Sequence, residues 1–441
     1  MNSGSIFFQL PTDNLRKEET AMYRTLKSPI SVQVEMTQQC NSSCLHCYNH
    51  WRKEKSDSRL DTASIKHIVE EFASNGVFDV TITGGEPLLQ PQETILMCKL
   101  LKEAGLNFTM NSNLRLLSPN PAAELRDAGL KSILTSFVSH DRKRHAQITQ
   151  NQNSYDQVIR GIQVAKEHGF AVAANMVLSR LNVGDLRETA QFLQTLGVEN
   201  FCATKMSPPS DLRDVSHLLL SPDEMRESLV TLLEIKEELG INVDILECYP
   251  LCLVRDGQRF AKFFRRSCVA GVTACTVGSD GAVRPCSHAK HDYGNILLEP
   301  LETIWKRMDD WRSGRYIPRT CKDCQHLPAC TGGCRIDAYV HGDISGLDPS
   351  AQPDKKDHVI FPDRPHAHKG VTYVFPPFNS RKENFGRVIY SKKACFPVNE
   401  SGFKILNDLR FKSFFIDGFN GENRDFLENL VVIGFADPKP Q

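Results

Sequence analysis

Between about residues 30 and 240, short apolar, β-branched runs alternate with longer stretches whose apolar positions recur every three to four residues. The runs Val32–Met36, Val80–Thr83, Phe108–Asn111, Ile133–Phe137, Val172–Leu178 and Phe201–Lys205 predict strands. The stretches between them predict helices: Tyr155, Val158, Ile159, Ile162 and Ala165 share one helical face, as do Met225, Leu229, Leu232, Leu233 and Leu239. Gly105, Gly129, Gly169, Gly197 and Gly240 each follow such a stretch, where a left-handed C-terminal cap is expected. Six strand-helix units in series predict an α/β fold with a parallel sheet. Right-handed crossovers would curl it into a partial (β/α)6 TIM-like barrel with its chemistry at the carboxyl ends of the strands.

Beyond residue 240 the pattern changes. Residues 268–334 hold seven cysteines, and residues 352–372, rich in Pro, Asp, Lys and His, read as a linker in which His358, His366 and His368 are solvated. Order is expected to return with a strand at Val388–Tyr390, a short helix at Ser401–Leu409 and a second helix over Arg424–Phe435, ending at Gly434. The expected division is an N-terminal segment (1–29), the barrel (30–240), a cysteine-rich domain (241–351), the linker (352–372) and a small α/β C-terminal segment (373–441).

Charge narrows the partners. Among 441 residues, 53 Lys and Arg balance 53 Asp and Glu, which argues against nucleic acid or an anionic membrane as the main partner. There is no basic N-terminal stretch followed by an apolar segment and no apolar run of about eighteen residues, so a cytoplasmic location is expected. Fifteen cysteines in a chain of this length and expected location point to metal rather than to disulfides.

The candidate chemistry sits at strand ends. Cys40, Cys44 and Cys47 follow the first predicted strand on one short loop. Three thiolates suit a four-iron cluster that leaves one iron open to a substrate, since such clusters normally take four. A zinc site completed by His46 or His50 is the alternative. Gly84-Gly85-Glu86-Pro87 closes the second strand: the glycines permit close backbone approach, Glu86 can accept from an ammonium and Pro87 stiffens the exit. Asn111-Ser112-Asn113 follows the third strand, Ser136 lies on the fourth and Asn175 on the fifth; Asn and Ser also favour plain strand-end turns.

The cysteine triad with the aromatic Tyr48, followed one strand-helix unit later by Gly84-Gly85-Glu86-Pro87, resembles the radical S-adenosylmethionine (SAM) enzymes. The resemblance implies a four-iron cluster on Cys40, Cys44 and Cys47. It also implies SAM held by Gly84, Gly85, Glu86 and Pro87, with Tyr48, Asn111, Ser112, Asn113, Ser136 and Asn175 as further cofactor contacts. The His-Asp and Arg that many relatives carry after the fourth strand are absent from Arg144-His145-Ala146-Gln147-Ile148-Thr149, so no carboxylate-binding Arg is carried over.

Cys321-x2-Cys324-x5-Cys330-x3-Cys334, with Cys268 and Gly281-x4-Cys286, resembles the SPASM extension of peptide-modifying radical SAM enzymes, which carries auxiliary iron-sulfur clusters. Seven thiolates are too many for one tetrahedral zinc. The resemblance assigns Cys268, Cys275, Cys286 and Cys334 to a first auxiliary cluster and Cys321, Cys324 and Cys330 to a second. The family's last Cys ends an Asp-Pro-x-Cys stretch, whereas Asp348-Pro349-Ser350 is followed here by Ala351. Either Asp348, Asp343 or His341 supplies a harder ligand, or an iron stays open, or the cluster is not assembled; Asp348 is the favoured ligand. Cys98 and Cys202 read as core residues, Cys395 is isolated, and Cys248 and Cys252, separated by Pro250 and without a third neighbour in the chain, read as no separate site.

The expected activity is reductive cleavage of SAM to a 5′-deoxyadenosyl radical that abstracts hydrogen from a peptide or small protein, the electron coming from a flavodoxin- or ferredoxin-type donor. The leading reading is maturation of a ribosomally made peptide by a thioether or carbon-carbon link or side-chain oxidation. The rivals are a sulfatase-activating, formylglycine-forming enzyme and a non-catalytic zinc-stabilised scaffold. The C-terminal segment resembles a winged-helix element that would pair a leader peptide with a sheet edge.

Overall fold

Seven strands stand side by side in chain order, all parallel, as repeated strand-helix connection requires. The computed structural model describes residues 24–49, 57–254, 259, 260, 263, 266–354, 368 and 370–439. The strands are β1 (Ser31–Glu35), β2 (Asp79–Thr83), β3 (Asn107–Asn111), β4 (Ser132–Ser136), β5 (Ala171–Leu178), β6 (Asn200–Lys205) and β7 (Asn242–Asp244). Between them run α1 (Thr62–Ser74), α2 (Pro91–Glu103), α3 (Pro119–Asp127), α4 (Arg142–Thr149), α5 (Ser154–Glu167), α6 (Leu186–Thr195) and α7 (Pro222–Leu239). This open, sequentially ordered sheet is the partial-barrel arrangement, with β7 added to the six strands expected.

Local chemistry explains the boundaries. Asp61 caps α1 by accepting from Ser64 N–H at 2.8 Å, and the face Ile65, Ile68, Val69 and Phe72 is buried, each side chain contributing about 1.5–3 kcal/mol. A reciprocal capping box between Ser221 and Glu224 starts α7, and Gly240 ends it with φ of +67°. The other four glycines expected as caps also have positive φ.

The cysteine-rich segment completes the same sheet. β8 (Ala274–Val277) pairs parallel with the outer side of β1, and β9 (Val283–Arg284) pairs antiparallel with β8. Arg284 on β9 donates to Glu35 on β1 at 2.6 Å, both side chains at most 3% exposed. The segment continues through α8 (Leu301–Lys306), α9 (Asp309–Arg312), α10 (Leu327–Cys330) and α11 (Arg335–Val340). Buried Trp305 on α8 donates to Leu26 O at 2.8 Å, and Leu301 N–H donates to Glu71 on α1 at 2.7 Å. Barrel and cysteine-rich segment form one compact unit.

Residues 370–439 belong to a second unit. It contains β10 (Thr372–Val374), β11 (Asn379–Glu383), β12 (Gly386–Tyr390), β13 (Cys395–Val398), α12 (Glu400–Asp408), β14 (Phe414–Phe415), α13 (Gly421–Val432) and β15 (Asp437–Pro438). The strands form two three-stranded antiparallel sheets, β14-β10-β15 and β11-β12-β13, around a core that includes Phe375, Phe396, Leu406, Leu427 and Phe435. The expected linker falls largely on 355–367 and 369, outside the described residues with His358 and His366, as do residues 1–23 and His50. No described helix is long and apolar enough to cross a membrane.

Candidate functional site

β1 delivers the loop of Cys40, Cys44 and Cys47 to the carboxyl end of the sheet, and β2 delivers Gly84-Gly85-Glu86-Pro87 beside it. Gly85 N–H donates to Thr37 O at 2.7 Å and Glu86 N–H to Gln39 O at 2.8 Å. Gly84 has φ of +145°, and a Cβ on Gly85 would lie 1.9 Å from Gln39 O. The glycines are therefore required by the chain's own residues 37–39, which lead into Cys40, whatever else approaches them.

Glu86 and Ser112 serve each other. Glu86, 1% exposed, accepts from Leu88 N–H at 2.9 Å, Ser112 Oγ at 2.7 Å and Asn113 N–H at 2.8 Å. Burial raises its pKa, and those donors together with the Arg115 charge oppose the rise. The expected ammonium acceptor and one of the expected cofactor contacts thus tie the end of β2 to that of β3. Asn113 reaches the cysteine loop, donating to Asn41 Oδ1 at 2.7 Å, with its Nδ2 3.9 Å from Cys40 Sγ.

Sequence reasoning missed Arg115. Its guanidinium donates to Asn41 O at 2.6 Å and Ser42 Oγ at 2.5 Å, while Nε is held by Gln157 of α5 at 2.8 Å. One charged side chain clamps the cysteine loop to the third and fifth elements of the barrel. From the far side Leu45 N–H donates to Ile148 O at 2.9 Å, and Arg213 donates to Leu45 O at 3.1 Å. His46 is half-buried, and desolvation of its ring pulls it down to about 4, so it is neutral at physiological pH.

The remaining expected contacts are spread along the sheet. Ser136 and Asn175 are register partners on β4 and β5; Ser136 is exposed, and Asn175 Oδ1 accepts from Thr204 Oγ1 at 2.8 Å. Asn111 closes β3, half-buried. Tyr48 stacks on His288, ring centroids 4.2 Å apart and 14° from parallel, which joins the cysteine loop to the residues after Cys286.

In the extension the thiols sort into two groups that differ from the expected sets. Cys248 lies within hydrogen-bonding reach of Cys268 and Cys334. The Cys268 thiol is drawn down to about 7 by the bond from Cys248, against its burial and with help from Arg335. Cys286 belongs beside them, its thiol raised by burial and by the charges of Cys268 and Cys334. Cys275 does not join: it lies on β8 opposite Val32, 1% exposed, its thiol raised by burial alone. The sheet takes Cys275 as a core position, and Cys248 stands where Cys275 was expected.

The second group lines a pocket containing Cys252, Cys321, Cys324 and Cys330 with Leu251 and Ala351. Leu251 N–H donates to Cys330 Sγ at 3.3 Å, and Gln352 N–H donates to Cys252 Sγ at 3.1 Å. Asp348, expected as a ligand here, is committed elsewhere. Its Oδ2 accepts from Cys334 N–H at 2.8 Å, its Oδ1 accepts from Ser350 N–H and Oγ at 2.9 and 2.6 Å, and Lys205 Nζ lies 3.7 Å away. The alternatives Asp343 and His341 are exposed and line no part of this pocket.

The Cys40 trio and the Cys252 set fit iron-sulfur cores better than zinc. Tetrahedral zinc, with bonds to sulfur of about 2.3 Å, holds its donors roughly 3.8 Å apart. Among the described residues only Glu247, Cys248 and Cys334 bring three ligand-type atoms within 4.8 Å; neither the Cys40 trio nor the Cys252 set contracts so far. Burial pushes the Cys330 thiol up to about 12.

Residues 34–193 match the Radical SAM superfamily, and residues 268–325 match SPASM, an iron-sulfur cluster-binding domain. The AdoMet-dependent heme synthase of Methanosarcina barkeri is 25% identical over 354 residues, covering 76% of this chain and 100% of that protein. Mycofactocin maturase MftC of Mycobacterium tuberculosis is 28% identical over 336 residues, 74% of this chain and 83% of the relative. The crystal structure of Streptococcus suis SuiB bound to precursor peptide SuiA has the same fold, with a TM-score of 0.60 at 18% identity over 74% of this chain and 76% of that one. With a cysteine loop locked onto a Gly-Gly-Glu-Pro turn at the carboxyl edge of the barrel and thiols grouped in the extension, the chain is a radical SAM enzyme with a SPASM iron-sulfur extension.

Proposed function

We propose that this enzyme matures a peptide or small protein by abstracting a hydrogen atom from it. Cys40, Cys44 and Cys47 would hold the four-iron cluster. With SAM bound and an electron from a flavodoxin- or ferredoxin-type donor, that centre supplies a 5′-deoxyadenosyl radical. The chain's own residues orient and enclose. Arg115 and Asn113 fix the cysteine loop, Glu86 fixes the turn against which the cofactor is read, and Ser136, Asn175 and Asn111 present polar groups along the strand ends.

The observation that carries the peptide reading is the separate C-terminal unit. About a quarter of this chain lies outside the match to the heme synthase, although that match takes in the whole of the relative. The unit contains the meander β11-β12-β13, whose outer strands pair on one side only among the described residues, so an extended leader segment can add there by β-augmentation. MftC is named a maturase and SuiB was crystallised with a precursor peptide, which favours the same class. The full-length match to a heme synthase favours a small-molecule substrate instead.

One assay separates the readings. The anaerobically reconstituted enzyme, with reductant, SAM and a candidate precursor peptide encoded beside its gene, is expected to release 5′-deoxyadenosine and leave the peptide lighter by two hydrogens in mass spectrometry. Deoxyadenosine release stimulated by a porphyrin and by no peptide would overturn the peptide reading.

A further inference from the structure

We propose that Cys252 supplies the fourth thiolate of the second auxiliary cluster, replacing from upstream the cysteine absent at position 351. The proposal rests on the reading that Cys321, Cys324 and Cys330 hold such a cluster. Ala351 ends the Asp348-Pro349-Ser350-Ala351 stretch, where a cysteine is expected, and Ala351 and Cys252 line the same pocket as the three remaining thiols. The backbone is arranged for sulfur ligands: Leu251 N–H points at Cys330 Sγ and Gln352 N–H at Cys252 Sγ, the N–H···S bonds that stabilise thiolate charge. Gln352 directly follows Ala351, so the strand of chain that lost its thiol still donates a hydrogen bond to the replacement.

The cysteine count closes on this assignment. Of the fifteen cysteines, three form the barrel loop and Cys98, Cys202, Cys275 and Cys395 are buried core positions. The eight left are Cys248, Cys268, Cys286 and Cys334 in one group and Cys252, Cys321, Cys324 and Cys330 in the other, two complete quartets. Each thiol gives up its proton on binding iron. With all four positions filled by sulfur, the second auxiliary cluster has no vacant iron for a substrate and acts as an electron relay.

Iron and sulfide analysis with EPR-monitored potentiometry of the anaerobically reconstituted full chain tests this without an activity readout. Cys252→Ala is expected to lose between about one and four irons per chain and to shift or abolish one auxiliary signal. Adding Ala351→Cys to that variant is expected to restore both. Wild-type iron content and midpoint potentials in Cys252→Ala would overturn the proposal. Should that variant not fold, alkylation of the wild-type holoprotein decides: Cys252 is expected to resist iodoacetamide together with Cys321, Cys324 and Cys330 and to react once a chelator strips the iron. Labelling of Cys252 while those three stay protected would equally overturn it. Failure of the parent reading shows differently, as no auxiliary signal in the wild-type protein.

Discussion

Lys205→Met removes the lysine cation from a buried acidic pair. Lys205 ends β6 with Nζ 2.5 Å from Asp337 Oδ2 and 3.7 Å from Asp348 Oδ2, and the three side chains are 2%, 4% and 0% exposed. At an effective dielectric of about 20 these contacts are worth about 7 and about 4.5 kcal/mol. Desolvation takes several kcal/mol back, so removing the ammonium should cost about 3–5 kcal/mol, mostly as uncompensated carboxylate. Burial acts to lower the Lys205 pKa, but the two aspartates outweigh it and the net shift is upward. Burial likewise opposes ionisation of Asp337, and Lys205 reverses it, so that pKa falls. The stabilisation is thus present above the unfolded Asp value of about 3.9 and below the unfolded Lys value of about 10.4. It is lost as pH falls through the lower folded Asp337 value or rises through the higher folded Lys205 value. In Lys205→Met the carboxylates can relieve their charge by taking up protons, so the deficit should shrink between pH 8 and pH 5. Urea unfolding of the anaerobic holoprotein, followed by far-UV circular dichroism, measures it, and Asp337→Asn in the same chain should recover part of the loss. A deficit under about 1 kcal/mol, or one that does not change with pH, would refute the reasoning.

Three further outcomes are expected. Gly85→Ala, whose Cβ would meet Gln39 O at 1.9 Å, should displace the cysteine loop and cut deoxyadenosine release by about 100-fold or more, with barrel iron lost in parallel; wild-type release would contradict the packing. Cys275→Ala should keep all its iron and cost about 1 kcal/mol as a small core cavity, whereas Cys248→Ala should lose iron from one auxiliary site, read by iron analysis. His145, drawn down to about 4 by burial and by the charges of His46 and Arg115, lies below its unfolded value of about 6.5. It therefore contributes stability above that pH, lost by about 3 kcal/mol as pH falls toward 4, and His145→Gln should flatten this acid limb in pH-stepped unfolding.

Local pattern carried much of the fold. β1 to β6 were legible because each is a β-branched run bounded by a glycine cap or a turn, and the α5 and α7 faces because their apolar spacing is helical. β7 has three residues, too few for alternation to register. β8 was hidden because Ala274–Val277 sits among cysteines and owes its strand state to pairing with β1, a contact far away in sequence. The same distance hid Cys248 and Cys252: their neighbouring thiols lie at Cys268 and beyond, so the CxxxC spacing with an intervening proline carried no metal signal. Arg115 was invisible for a different reason, since its targets are the carbonyl of Asn41 and the hydroxyl of Ser42. A count would have helped, because eight cysteines remain once the triad and the four core positions are set aside.

That β8 lies against β1 bears on how the molecule is made. During synthesis β1 keeps one bare edge, and Glu35 waits for the Arg284 guanidinium, until the chain has grown past Arg284. A product cut short after the barrel would present that edge and a Glu35 without the Arg284 contact, so the extension is no detachable accessory. Grafting a different extension onto this barrel would demand a replacement strand and a replacement arginine as well as new thiols.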